Sequence, residues 1–235
     1  MGHTRESGAT GQGKGALPGK IGAAFDALLP RLAAATDYWL LAEAFSSIDG
    51  FLDPIEGYVL LLLAQFGPGV GGIVEIGSYT GKSTCYLARG SKRARREKVT
   101  AVDHFLGSPE HQRGGANESA YVVRGDLFAV FTENLAKAEV DDWVRPLRMG
   151  SAEAAAQWSH PIRLLFIDGD HSYEASREDF EAWGKWLIPE GLAVFHDIGI
   201  FPGVTRYYEE LLRDGACTEA LSVGTLRVVA HAGAK

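Results

Sequence analysis

Apolar and polar positions change rhythm along this chain. From residue 21, apolar side chains recur at helical spacing (Ile21, Phe25, Leu28, Leu29, Leu32), which predicts a helix ending or bending near Pro30. Asp53-Pro54-Ile55-Glu56 reads as a second helix start: Asp53 caps, Pro54 suits the first turn and Glu56 closes a capping box. That helix should run to about Gln65 and stop at Gly67-Pro68-Gly69. After Gly72, short apolar runs at 73–76, 99–102, 144–147, 164–167 and 192–195 alternate with helical-period stretches at 82–89, 127–138, 152–158 and 173–187. Such alternation predicts parallel strands with crossover helices on both faces of one sheet. Residues 204–213 read as a further helix, and 218–223 with 226–230, joined through Gly224, as a terminal antiparallel hairpin.

The fold class expected is therefore α/β, Rossmann-like and doubly wound, with a mostly parallel sheet and a C-terminal antiparallel hairpin. Residues 1–20 carry Gly2, Gly8, Gly11, Gly13, Gly15 and Gly19 and almost no apolar side chains, so a disordered tail is expected there. An N-terminal helical segment follows over 21–70, and the Rossmann-like domain over 71–235. Of 235 residues, 46% are hydrophobic and 23% charged, enough apolar material for a sizeable core. The longest apolar run, 58–64, is too short to cross a membrane. No signal-peptide pattern opens the chain, and Glu6 stands where a myristoylation motif needs Ser or Thr.

The net charge of −7 argues against a general nucleic-acid partner. The one basic cluster, Lys92, Arg93, Arg95, Arg96 and Lys98, reads as a solvated loop between a helix and a strand. Two distant cysteines, Cys85 and Cys217, support neither a disulfide framework nor a Cys-based zinc site, and a reducing cytoplasm fits them.

Chemistry concentrates at the expected strand ends. Val74-Glu75-Ile76 leads into Gly77-Ser78-Tyr79-Thr80-Gly81-Lys82-Ser83-Thr84. Glycines at a strand-to-helix turn let a ligand approach the backbone, and the helix start offers free N–H groups. The Gly-x-x-x-Gly spacing is neither a dinucleotide fingerprint nor a P-loop, which would need glycine where Ile76 stands. Asp103, at the end of the next strand, is placed to hold a ribose diol. Met149-Gly150-Ser151-Ala152 offers a backbone N–H and a small hydroxyl to an adenine edge. A structural turn, a helix cap and a solvated acid are the plainer readings of each piece alone, but the three converge on one crevice.

These residues resemble a known family. Residues 74–83 look like the first motif of class I S-adenosylmethionine-dependent methyltransferases, with Asp103 at the ribose-binding acid. Phe166-Ile167-Asp168-Gly169-Asp170-His171-Ser172-Tyr173-Glu174 with Phe195-His196-Asp197 resembles a narrower branch of small natural-product O-methyltransferases, including macrocin-type sugar enzymes, and cephalosporin-hydroxylase-like proteins. The resemblance covers roughly 57–230. It implies S-adenosylmethionine as cofactor, with Glu75, Gly77, Ser83, Asp103 and Ser151 as contacts, and Ser78, Gly81, Gly150 and Asp168 around them.

Asp168, His196 and Asp197 end two strands that are apolar throughout. If those strands are neighbours, two carboxylates and an imidazole could hold one divalent metal, magnesium or manganese or another such as iron or zinc, with positions left for a substrate hydroxyl; His196 could instead act as a base. The plainer alternative makes Asp168 and Asp197 helix caps and packs His196 on the sheet. His171, three residues after Asp168, could fold back over the site with the help of Gly169. A histidine there suits removal of a hydroxyl proton, and the resemblance implies the same base role. The polar stretch 104–125 could form a substrate lid, with Phe105, His111, Gln112, Arg113 and Tyr121 as candidate contacts.

The function expected is methyl transfer from S-adenosylmethionine to a hydroxylated small-molecule acceptor, by a cytoplasmic homo-oligomer. A hydroxylase-like oxidoreductase on the same scaffold and a catalytically silent cofactor-binding module are the rivals.

Overall fold

The structure, a computed structural model, describes residues 33–108 and 111–231. The tail expected over 1–20 and the helix expected from residue 21 to Pro30 lie outside the described residues. The chain divides after Leu40 into two units. In the first, the described residues 33–40 are helical. The second carries the sheet and the crevice.

Helix α1 (Pro54–Phe66) begins as its sequence requires. The Asp53 carboxylate accepts from the Ile55 N–H at 2.9 Å, and Glu56 returns the favour to the Asp53 N–H at 3.1 Å, closing the capping box. Strand β1 (Gly72–Ile76), helix α2 (Lys82–Ala94), β2 (Val99–Asp103), α3 (Ala120–Arg124), α4 (Leu127–Lys137), β3 (Val144–Arg148), α5 (Ser151–Ala156), β4 (Ile162–Ile167), α6 (Tyr173–Gly184), β5 (Leu187–Phe195), α7 (Pro202–Arg213), β6 (Cys217–Val223) and β7 (Leu226–His231) follow.

Seven strands form one sheet in the order β3-β2-β1-β4-β5-β7-β6. β1 to β5 are parallel, and β7 runs antiparallel to both β5 and β6. The Rossmann-like α/β expectation with its terminal hairpin is borne out. Strand periodicity divides the core. Ile73, Leu164, Phe166 and Val194 pack with α1, α2 and α4 on one face. Val74, Ile76, Leu165, Ile167 and Phe195 pack with α5, α6 and α7 on the other. Each such fully buried aliphatic or aromatic side chain contributes about 1.5–3 kcal/mol. Among the described residues, no helix is long and apolar enough to cross a membrane.

A shift in element bounds falls at the junction of α6 and β5. β5 starts at Leu187 rather than 192, and α6 stops at Gly184 rather than 187. Pro189 and Gly191 hid that extension. They sit at an irregularity where the pairing passes from Ile162↔Leu187 to Leu164↔Leu192. Within the expected lid, α3 forms a short helix capped by Ser119.

Register decides what meets at the top of the sheet. Ile76 pairs with Val102 and with Ile167, and Ile167 pairs with Phe195. The next residues, Gly77, Asp103, Asp168 and His196, therefore emerge along one edge, at the reversal of strand order between β1 and β4 where open α/β sheets form ligand crevices.

Candidate active site

Gly77 donates its N–H to the Val102 carbonyl at 3.0 Å and turns at φ +82°. A Cβ there would lie 2.0 Å from the Asp168 carbonyl oxygen, so only glycine fits between β1 and β4. The chain passes through Tyr79 (φ +46°) to Gly81 (φ +91°), the N-cap of α2. Gly81 has no capping side chain, which leaves the first N–H groups of α2 open to a ligand.

Asp103 holds this turn in shape. Its Oδ2 accepts from the Ser78 and Tyr79 N–H groups, both at 2.9 Å, and its Oδ1 accepts from the Phe105 N–H at 2.6 Å. A carboxylate offers about four acceptor positions. The acid expected to grip a ribose diol with both oxygens thus spends most of its capacity on the turn itself.

Glu75 lies beneath the turn with no exposed surface. Its Oε2 accepts from the hydroxyls of Ser78 at 2.8 Å and Thr84 at 2.5 Å, whereas Oε1 is buried without a partner. Burial pushes this carboxyl up to about 7, against the pull of the neighbouring Ser83, Thr84 and Ser78 hydroxyls.

At the far end of the crevice, Gly150 has ordinary extended dihedrals (φ −66°, ψ 151°), and nothing lies near a Cβ built there. Ser151 is not free to read an adenine with its hydroxyl. It accepts from Trp183 Nε1 at 2.9 Å and hydrogen-bonds to Asp179. Burial pushes the Asp179 carboxyl up to about 6, with the Ser151 bond pulling the other way.

The ionisable groups gather where β4 and β5 end. Asp197 sits at φ +61°, a left-handed conformation, and starts the turn into α7. His171 Nε2 lies 3.0 Å from Asp197 Oδ2 and 4.0 Å from Asp168 Oδ1. The imidazole stacks on Phe201, with ring centroids 4.1 Å apart. Its loop is held by the Val204 N–H, which donates to the His171 carbonyl at 3.0 Å. A Cβ on Gly203 would lie 2.4 Å from that carbonyl, so Gly203 permits the approach. Gly169, expected to ease the fold-back, does not have positive φ.

His196 stands beside Asp168 and Asp197, as the strand ends predict, with both of its ring nitrogens engaged. Its Nδ1 lies 3.0 Å from Asp168 Oδ1 and 3.5 Å from Asp197 Oδ2, and its Nε2 lies 3.1 Å from Glu56 Oε2. Both ring nitrogens face carboxylates and carry protons toward them, so neither is available as a metal ligand in this arrangement. Among the described residues, the potential metal donors that lie within 4.8 Å of one another are those of Asp168, His171 and Asp197, whereas the set expected from the sequence had His196 in place of His171. Burial alone would lower the His196 pKa. The Asp168 charge and the bonds to Asp168, Asp197 and Glu56 outweigh it and push the ring up to about 12. Burial would likewise raise Asp197, but His171 and His196 hold it well below the usual carboxylate range.

Residues 74–198 match a protein family described as "Methyltransferase domain", a stretch of more than half the chain. The chain belongs to this methyltransferase family. The match bears out the resemblance read from residues 74–83. Solved structures share the fold. Cofactor-bound Rv0187 from MTB is 17% identical, with 92% of this chain and 99% of that one covered and a TM-score of 0.60. An O-methyltransferase from Bacillus cereus in complex with SAH is 20% identical, with 84% and 90% covered and a TM-score of 0.55. The O-methyltransferase TomG from Streptomyces achromogenes, involved in tomaymycin synthesis and in complex with SAM, is 18% identical, with 85% and 90% covered and a TM-score of 0.57.

In this methyltransferase the strand-end groups line one open cavity of about 580 Å³, which runs from Met149–Ser151 past the glycine turn to His171 and Asp197. That volume suits a cofactor-sized ligand. Of the lid candidates, Phe105 is core, packed edge-on against Phe128 and at a tilt against Phe131. His111 lines the cavity and stacks on Tyr79 at 5.0 Å and on Phe51 at 5.7 Å. Sequence reasoning missed Asp179 and Glu56. Asp179 shares the buried stripe of α6 with Ser176, Phe180 and Trp183, and an acid on an apolar helical stripe was a readable signal. Glu56 was already accounted for as a cap.

Proposed function

We propose that this methyltransferase moves the methyl group of S-adenosylmethionine onto a hydroxyl of a small molecule. The observation that carries the reading is that one cavity joins the glycine turn of residues 77–81 to the Asp168, His171 and Asp197 group. The structures of like fold bound to a cofactor, to SAH and to SAM support the donor.

The donor lies across the strand ends, where glycine at 77 lets its chain approach the backbone and the open start of α2 receives its carboxylate. The acceptor hydroxyl meets His171. Asp197 fixes the imidazole at 3.0 Å, and Phe201 fixes its plane. The hydroxyl proton passes to an unprotonated ring nitrogen of His171. The oxygen pair forms a bond to the methyl carbon, and the carbon–sulfur pair returns to the sulfonium, leaving a thioether. Alignment of donor and acceptor supplies most of the acceleration in such a transfer.

A second reading rests on the donor set. Asp168, His171 and Asp197 fit a divalent cation, and two carboxylates with an imidazole suit manganese as well as magnesium. When bound, such an ion would acidify and orient the hydroxyl. His171 would then be a ligand rather than the base.

Methyl-labelled S-adenosylmethionine incubated with a panel of phenols, catechols and sugars, followed by mass spectrometry, tests the proposal. Label on an acceptor oxygen is expected. Label on carbon or nitrogen would overturn it, and cofactor binding without any transfer would favour a silent module. Turnover that survives chelation assigns His171 as base, whereas loss restored by manganese or magnesium assigns it as ligand.

A further inference from the structure

Glu56 does not line the cavity, yet it touches the acceptor end through one ring. Only 3% of its surface is exposed, which is rare for a carboxylate. The capping box explains a single contact, the Asp53 N–H at 3.1 Å on Oε2. The others reach across the chain. Oε1 accepts from the Thr225 N–H at 2.6 Å and the Thr225 hydroxyl at 3.0 Å, and Oε2 faces His196 Nε2 at 3.1 Å. Every direction around the carboxylate is therefore fixed by α1, by the β6–β7 turn, or by the end of β5.

We propose that Glu56 is a positioning residue for methyl transfer, acting through His196 on Asp168. The proposal rests on the reading of Asp168, His171 and Asp197 as the acceptor end. A histidine ring turns over a broad torsional range about its last side-chain bond. The fixed carboxylate behind it selects one orientation, which aims Nδ1 at Asp168 Oδ1, 3.0 Å away. That bond commits Oδ1 and leaves the other Asp168 oxygen for the cavity that Asp168 lines. A capping residue at the start of α1 thereby sets the aim of a strand-end acid 112 positions away in the chain.

A purely structural role is the competing account, with Glu56 as a clip between α1 and Thr225. Three measurements separate them. Glu56→Gln keeps the shape but presents an amide where His196 meets a carboxylate. It should lower kcat at least about tenfold for the best acceptor of the panel, with KM and the affinity for S-adenosylhomocysteine within about threefold. Thr225→Val removes only the 3.0 Å hydroxyl bond and keeps the Thr225 N–H on Oε1, so the carboxylate stays aimed and kcat should remain within about twofold. In a double-mutant cycle, His196→Gln combined with Glu56→Gln should be no slower than the slower single variant, because residues acting in series are not additive.

Unchanged kcat in Glu56→Gln, or additive losses in the cycle, would overturn the proposal. So would a Thr225→Val loss as large as that of Glu56→Gln. If Glu56→Gln does not fold, or no panel member accepts a methyl group, the nitrogen-15 spectrum of the wild-type imidazole rings decides. An exchange-protected Nε2–H signal from His196, assigned by its loss in His196→Gln, is expected, and a freely exchanging ring would refute the proposal. Failure of wild-type transfer with that signal present counts against the acceptor-end reading. Wild-type transfer with no effect of Glu56→Gln counts against this inference alone.

Discussion

His171 Nε2 lies 3.0 Å from Asp197 Oδ2, and the residue that supplies that oxygen is held in a left-handed conformation at φ +61°. Such backbone costs about 1–3 kcal/mol and persists where the surroundings over-determine it. The pair ties the loop after β4 to the end of β5, and Phe201 backs the ring.

His171→Ala should lower turnover by about 10²–10⁴-fold, the range for loss of a general base. S-adenosylhomocysteine affinity should stay within a few-fold, because the ring sits at the acceptor end. The deficit should shrink at alkaline pH, where the acceptor ionises without help. Steady-state rates across pH 6–10 on wild type and variant check this, and near-wild-type turnover at neutral pH would remove the base assignment.

Asp103 makes a different prediction from a simple ribose clamp. Because it pins the Ser78 and Tyr79 N–H groups, Asp103→Ala should weaken S-adenosylhomocysteine binding by about 1–3 kcal/mol, the range for charge-assisted hydrogen bonds. It should also lower the melting temperature of the ligand-free protein. Calorimetry and thermal unfolding on the same variant test both halves. Weakened binding with unchanged melting would return Asp103 to a pure ligand contact.

Glu75 predicts how stability follows pH. Its carboxyl is raised from 4.5 to about 7, so the folded state holds a proton that the unfolded state has lost between those values. Stability from this group therefore falls as pH rises from about 4.5 and levels off above about 7, a penalty on the order of 3 kcal/mol. Glu75→Gln lacks the penalty. Its melting temperature should gain on wild type between pH 4.5 and 7.5 and hold that lead above it. A difference that does not vary with pH would show that Glu75 ionises in the fold as it does in water.

Glu56 and His196 run the other way. Glu56 is held down at about 2 even though burial alone would raise it, because His196, Thr225 and Asp53 hydrogen-bond to it. Its contribution is complete above about 4.5 and lost as pH falls toward 2. His196, pushed up to about 12, contributes fully below about 6.5 and loses that contribution as pH rises toward 12. Glu56→Gln should therefore cost most stability between pH 4.5 and 6.5 and least in strong acid. Thermal melts of wild type and variant from pH 3 to 9 test this, and an equal loss at pH 3 and pH 5.5 would refute it.

Strand and helix periodicity made the fold legible, because β1, β2 and β4 are buried on both faces and read as short, mainly apolar runs, interrupted by Glu75, Thr100 and Arg163. Where β5 carries Pro189 and Gly191 the pattern breaks and predicts a strand shorter than the one that forms. The strand-end acids were legible because an apolar strand that ends in Asp168 or His196-Asp197 stands out. Their pairing was not. Two histidines lay within reach of the same carboxylates, and only the tertiary contact from Glu56, 140 residues before His196, determines which ring is held from behind. Ser151 was likewise legible as a crevice residue, but its commitment to Trp183 and Asp179 depends on how α6 packs against α5.

If the crevice takes the adenosyl-methionine skeleton, titration calorimetry of wild-type protein with S-adenosylhomocysteine should register it. One molecule should bind per chain, saturably, and NAD at the same concentrations should neither bind nor compete. No measurable binding of S-adenosylhomocysteine at millimolar concentration, or its displacement by NAD, would contradict the account.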